Sequence, residues 1–118
     1  MKKPVGSWFG ARLLFECVVY PDTDADDATF EDRIILVQAV DEEEAERKAT
    51  SAGKKAEHSY KNQFGDTVVW TFREMLDVVP MYDSDLVHGT EIYSSLIDRN
   101  EAEELLHRFG KVSTPPSP

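Results

Sequence analysis

The feature that most constrains the fold of this chain is an alternation of apolar and mixed residues over positions 8–20. One alternate set is apolar at every position: Phe9, Ala11, Leu13, Phe15, Cys17 and Val19. The other set contains Arg12 and Glu16 among apolar residues. Successive side chains of a strand point to opposite faces, so this pattern predicts a strand with one face in the core and the other only partly covered.

A second strand is predicted over residues 30–40. Its middle, from Ile34 to Val37, is apolar at every position, which is typical of a strand inside a sheet. Residues 21–29 are rich in aspartate and include Pro21, so they predict a loop that closes a hairpin between the two strands.

A third strand is predicted from Thr67 to Val79 and ends at Pro80. Its apolar face consists of Val68, Trp70, Phe72, Leu76 and Val78. Glu74 falls on the same face, and a β-bulge near it would turn the carboxylate away from the core. A shorter fourth strand is predicted over residues 90–97.

Two helices are predicted, each beginning with an aspartate cap. The first spans 42–56, with Asp41 and Glu44 as a capping box, and its apolar face is all alanine: Ala45, Ala49, Ala52 and Ala56. Alanine fills little volume, so we expect large side chains of the sheet to lie opposite this face, namely some of Phe15, Leu36, Trp70 and Phe72. The second helix follows Asp98 and ends near Gly110, with the apolar stripe Ala102, Leu105, Leu106 and Phe109.

The predicted order of elements is β-β-α-β-β-α. Hairpin connections imply an α+β fold with a mostly antiparallel four-stranded sheet, and we expect the helices to pack on one face of it. The length of 118 residues fits one domain, which we place at 1–110. Residues 111–118 are rich in proline and poor in apolar residues, so they are expected to form a disordered tail.

The net charge of −10 is concentrated in one segment, residues 21–46. Its acids are Asp22, Asp24, Asp26, Asp27, Glu31, Asp32, Asp41, Glu42, Glu43, Glu44 and Glu46, and its only base is Arg33. Such a field repels phosphate backbones, so binding of nucleic acid is not expected, and it favours a protein partner with a basic surface. The candidate partner-binding residues are Asp22, Asp24, Asp26, Asp27, Glu42, Glu43 and Glu44; the alternative is that the charge only maintains solubility.

No motif of an enzyme or of a metal site is present, so no catalytic residue, metal or cofactor is predicted. Asp22, Asp24 and Asp26 match the first ligand positions of an EF-hand loop, but Asp27 and Arg33 stand where that loop requires glycine and glutamate. The single Cys17 excludes an intrachain disulfide and fits a reducing compartment. No segment has the pattern of a signal peptide or a membrane helix, so we expect a cytoplasmic protein.

Four segments together resemble a known bacterial family, the domain of unknown function 4288. They are SWFGARLLFE at 7–16, EEEAERKATSAGKKAEHSYKN at 42–62, VVWTFREMLDV at 68–78 and HGTEIYSSLI at 88–97. The resemblance extends over about residues 7–97 and implies no activity, so function has to be inferred from the residues.

Two segments of this resemblance, around His58 and around Glu91, are polar and aromatic and flank predicted strands. If they meet at one end of the sheet, His58, Tyr60, Glu91 and Tyr93 would form a polar pocket for a small molecule or a reaction. The alternative is a network at a helix end that satisfies backbone groups. The sequence therefore supports two functions: a non-enzymatic adaptor or inhibitor-like domain that uses its acidic segment 22–46, or a domain with a polar cleft.

Overall fold

The computed structural model describes residues 6–21, 27–82 and 85–111. It has four strands and two helices: β1 Ser7–Tyr20, β2 Thr29–Ala39, α1 Glu42–Lys55, β3 His58–Lys61, β4 Thr67–Pro80 and α2 Arg99–Arg108. All strand pairs are antiparallel and the spatial order is β2-β1-β4-β3. The α+β class and the four-stranded antiparallel sheet are confirmed, whereas the predicted strand positions and the predicted helix packing are not matched in full.

The strand predicted at 90–97 is wrong, since these residues have no strand structure. They cross the face of β1 instead of pairing along an edge: a Cβ added to Gly10 would lie 1.7 Å from Ile92 O. The fourth strand is β3, which sequence reasoning missed. It pairs with β4 across a turn in which Asn62 Oδ1 accepts from Phe64 N at 2.9 Å and from Asp66 N at 3.0 Å.

The core lies between α1 and the apolar face of β1. Phe15 and Leu13 are the largest fully buried side chains, and the Phe15 ring meets Phe72 edge to face at 5.6 Å. Ala45 and Ala49 of α1 have no exposed surface, as the alanine face predicts. The close approach continues at the end of α1, because a Cβ on Gly53 would lie 2.4 Å from the Phe72 ring.

Of the four candidate residues for this layer, Leu36 does not belong to it. Leu36 pairs with Gly10, so it lies on the opposite face of the sheet, and it is 39% exposed. Phe15, Trp70 and Phe72 do lie on the α1 side, where they belong to the core or pack against it.

The predicted bulge near Glu74 is confirmed, because the β1–β4 register shifts on both sides of the Leu14–Glu74 pair. The shifts place Met75, which pairs with Leu13, on the α1 face. Leu76, predicted to face the core, is 46% exposed, so that assignment is wrong.

The helices do not share one face, contrary to the prediction. The segment before α2 crosses the face opposite α1, where Tyr93 Oη donates to Asp77 Oδ2 at 2.7 Å. On that face, Leu105 and Arg108 of α2 line a cleft with Arg12, of about 260 Å³. The predicted cap of α2 is present, with Asp98 Oδ1 accepting from Glu101 N at 2.9 Å. The path of residues 90–97 determines on which face of the sheet α2 lies. The apolar stripe of α2 does not contain this information.

Candidate functional site

The fold divides the acidic segment between the two ends of β2. Asp27 lies exposed just before the strand, and Glu42 and Glu43 lie exposed in the first turn of α1, just after it. A strand of 11 residues spans roughly 35 Å, so these groups do not form one patch. Instead they lie near opposite ends of a single strand. Of the other predicted partner-binding residues, Asp22, Asp24 and Asp26 lie outside the described residues.

Glu44, also predicted to bind a partner, is occupied by its role at the start of α1. Its Oε1 accepts from Val40 N at 3.0 Å and lies 3.4 Å from Lys48 Nζ. The hydrogen bond from Val40 is the main cause that lowers the pKa of Glu44, with Lys48 and Arg47 adding to it. Asp41 Oδ1 accepts from Glu44 N at 2.8 Å, which completes the cap.

The acids within β2 form ion pairs. Asp32 accepts two hydrogen bonds from Arg12, at 2.8 Å from Nε and 2.6 Å from Nη2, and these bonds lower the pKa of Asp32. Glu31 accepts from Arg33 Nε at 2.5 Å, and the Arg33 guanidinium lies 4.0 Å from the centre of the Phe15 ring. By contrast, Glu42 and Glu43 have no side-chain partner in the described part of the chain. Their charge is therefore available to a binding partner.

β2 is an edge strand, and its outward main-chain groups can be identified. Trp8 O accepts from Met81 N at 2.9 Å, so the main-chain N–H and C=O of Trp8 point toward β4. Gln38 is opposite Trp8 in the register, and its main-chain N–H and C=O must therefore point away from β1. The β1–β2 register is uninterrupted, so every second residue of β2 presents its N–H and C=O at the edge: Phe30, Asp32, Ile34, Leu36 and Gln38. Within the described residues these groups have one partner, Lys48 Nζ, which donates to Gln38 O at 2.8 Å.

The side chains of these same residues lie on the face opposite α1, and three of them are large and exposed. Phe30 is 52% exposed, Ile34 42% and Leu36 39%. Sequence reasoning did not assign Ile34 or Leu36 to a site. The available signal is the apolar run Ile34–Val37 inside an otherwise acidic segment, which predicts a strand inside the sheet. That prediction is wrong, because β2 is an edge strand.

The proposed pocket residues are not brought together. His58 and Tyr60 pair with Trp70 and Val68 in the register, so they lie on the α1 side of the short edge strand β3. Tyr93 bonds Asp77 on the opposite face, seven positions along β4 from Trp70, or roughly 23 Å. Glu91 is exposed in the segment that precedes Tyr93. Because strand side chains alternate between faces, these four cannot line one cavity.

His58 instead contacts the end of α1, which agrees with one part of the alternative interpretation. Its Nδ1 lies 2.9 Å from Ala56 O, and its ring stacks on Tyr60 with 5.8 Å between centres.

On the other face, burial and the hydrogen bond to Asp77 raise the pKa of Tyr93, so its hydroxyl remains a donor. Burial also raises the pKa of the Cys17 thiol, which disfavours the reactive thiolate.

A shallow groove between α1 and β4 carries cations. It is lined by Glu46, Arg47, Thr50, Ser51, Lys54, Lys55 and Met75. Its three cations are Arg47, Lys54 and Lys55. No helix in the described ranges has the length and apolar content to cross a membrane. Over the same ranges, no three His, Cys, Asp or Glu side chains are arranged to hold a metal ion.

Comparison with known proteins identifies a family. No curated protein and no solved structure matches the chain. A family model described as domain of unknown function (DUF4288) matches residues 8–94. This range includes β1 from Trp8 onward, β2, α1, β3 and β4, together with part of the segment that crosses the face of β1. The match covers most of the sequence, and the chain therefore belongs to the DUF4288 family.

Proposed function

We propose that this chain is a non-enzymatic protein-binding domain, of an adaptor or inhibitor-like kind, that binds a basic surface of a cytoplasmic partner. The observation that supports the proposal is the concentration of charge in residues 21–46, whose charge equals the whole net charge of −10. The described members of this segment comprise the edge strand β2 and the first turn of α1, with Asp27 just before the strand. The described acids therefore lie in β2 and near its two ends.

Charge of this kind acts mainly on the rate of association and is screened by salt. The unpaired Glu42 and Glu43 are the best placed of the described acids to attract a cation. Asp32 and Glu31 are already neutralised by Arg12 and Arg33. The partner-facing charge therefore comes from the two ends of β2 and not from its middle.

The experiment compares two double variants with equal loss of charge. One is Glu42→Gln with Glu43→Gln, and its control on α2 is Glu103→Gln with Glu104→Gln. Binding to polylysine is measured by titration calorimetry at low and at moderate salt. We expect the first variant to bind more weakly at low salt and the control to bind like the parent chain. Equal weakening in both variants would show that only the net charge matters, and would reject this surface.

The alternative, a small-molecule or catalytic cleft near His58, Tyr60, Glu91 and Tyr93, has less support. His58 and Tyr60 lie on one side of the sheet and Tyr93 on the other.

A further inference from the structure

The two edges of the sheet differ in how they are protected against pairing with another chain. At one edge, β3 has only four residues. The rest of that edge belongs to β4, where the register shifts twice and Glu57 Oε2 accepts from Phe72 N at 2.9 Å. Short strands, bulges and side chains that occupy main-chain groups are the usual means by which proteins block edge pairing.

The β2 edge lacks most of these features that block pairing with another strand. It has 11 residues, contains no proline and no bulge, and includes the apolar run Ile34–Val37. The charges of Asp32 and Arg33 are held by ion pairs with Arg12 and Glu31. The outward N–H groups of Asp32, Ile34 and Leu36 thus form a regular row of free donors among the described residues. A row of this kind is a template for an added strand.

Charge decides which strand would be added. A second copy of this chain would pair antiparallel through its own β2, with Thr29 of one copy near Ala39 of the other. Asp27 of each copy would then approach Asp41 and Glu42 of its neighbour, so that like charges meet at both ends. An extended segment with basic residues at its ends and apolar residues at its centre would meet opposite charges and the exposed Ile34 and Leu36.

We propose that β2 binds an extended basic segment of a partner protein by β-strand addition, a mechanism that rests on the proposed protein-binding function. The main-chain groups of alternate β2 residues bond the added strand. Ile34 and Leu36 contact its apolar side chains, and Asp27, Glu42 and Glu43 attract its basic ends.

The test uses a short synthetic peptide with lysines at both ends and alternating valines at its centre. Amide hydrogen exchange of the chain is followed by NMR with and without this peptide. We expect slower exchange at Asp32, Ile34 and Leu36, whose amides face outward. No comparable change is expected at Arg33 and Ile35, because their amides already bond β1. Strand addition would be overturned if Arg33 and Ile35 become protected, or if none of these five amides does.

Two further peptides carry N-methyl groups on one or the other set of alternate amides. Only one set can face β2, so one peptide should lose more than about tenfold in affinity, since several hydrogen bonds disappear together, while the other keeps its binding. Equal binding of both would show attraction by charge without main-chain pairing. Strand addition would then be wrong while the protein-binding function stands.

Three further measurements separate the remaining outcomes. If polylysine binds and the alternating peptide does not, strand addition fails alone; if neither binds at low salt, both proposals fail. Leu36→Pro removes one outward donor without removing a bond to β1, and edge strands tolerate proline at such positions. We expect this variant to lose binding of the alternating peptide. Sedimentation of the chain without peptide tests for a second copy, and self-association that protects the same amides would overturn the assignment of the occupant.

Discussion

The two faces of the sheet each carry a helix with an aspartate cap, but only one face forms a core. Under α1, Leu13 and Phe15 are at most 1% exposed, and Ala45 and Ala49 have no exposed surface. On the other face, α2 has no buried residue, and Leu105, Leu106 and Phe109 are 42%, 46% and 63% exposed.

The difference lies in what each helix faces. The α1 side offers an apolar sheet face, and a stripe of alanine and glycine lets the backbone of α1 come close to the Phe72 ring. The α2 side offers the paired charges of Arg12 and Asp32, which a leucine cannot cover without desolvating them. An apolar stripe therefore forms a core only where the opposing surface is also apolar and close approach is possible.

The strongest test of this comparison removes one aromatic ring from each face. Phe15→Ala should lower the free energy of unfolding by about 3–5 kcal/mol, because it leaves a cavity in a packed core. Phe109→Ala should change it by no more than about 0.5 kcal/mol, as for other exposed positions. Urea denaturation measures both. A large loss for Phe109→Ala would mean that α2 contributes a core of its own.

The second test adds volume in place of removing it. Ala49→Leu should cost about 1–3 kcal/mol, because the added methyl groups have no space between α1 and the sheet. Arg47→Leu, on the outer side of the same helix, should stay within about 0.5 kcal/mol. The two variants have the same new side chain, so equal urea midpoints would show that α1 is oriented differently from the structure.

The third test compares the caps of the two helices. Asp41→Ala should reduce global stability by about 0.5–2 kcal/mol, because α1 is part of the core. Asp98→Ala removes a cap of the same type, yet it should fray α2 with little change in the urea midpoint. Circular dichroism would record the loss of helix signal. If both variants lower the midpoint equally, the folding of α2 is coupled to that of the sheet.

The smallest effect concerns the ion pair on the α2 face. Because the Arg12 hydrogen bonds lower the pKa of Asp32 in the folded chain, the stabilisation is complete above the ordinary value of about 3.9. It is lost as the pH falls through the lowered value. The two side chains are 38% and 45% exposed, so the contribution should stay below about 1 kcal/mol.

Urea midpoints measured from pH 6 down to pH 2 check this expectation. The parent chain should lose slightly more stability than Asp32→Asn as the pH falls below about 4. Identical pH dependence of the two chains would mean that the pair is fully screened by solvent.

Much of the fold follows from local pattern. The strands β1, β2 and β4, both helices and both caps were predicted, because side-chain alternation and capping are encoded by neighbouring residues. The geometry of the candidate site could be predicted only in part. Glu42 and Glu43 are exposed and have no side-chain partner among the described residues, but His58 and Tyr93 lie on different faces, since their meeting depended on a strand that does not form.

By itself, the sequence determined which segments are apolar, which are acidic and where each helix begins, since these properties depend on residues close in the chain. Only the tertiary structure decided that β2 is an edge strand, that Leu36 faces away from α1 and that α2 lies on the opposite side of the sheet. Strand order and register depend on pairings between distant residues. A run such as Ile34–Val37 has the same local pattern whether its outer neighbour is another strand or solvent.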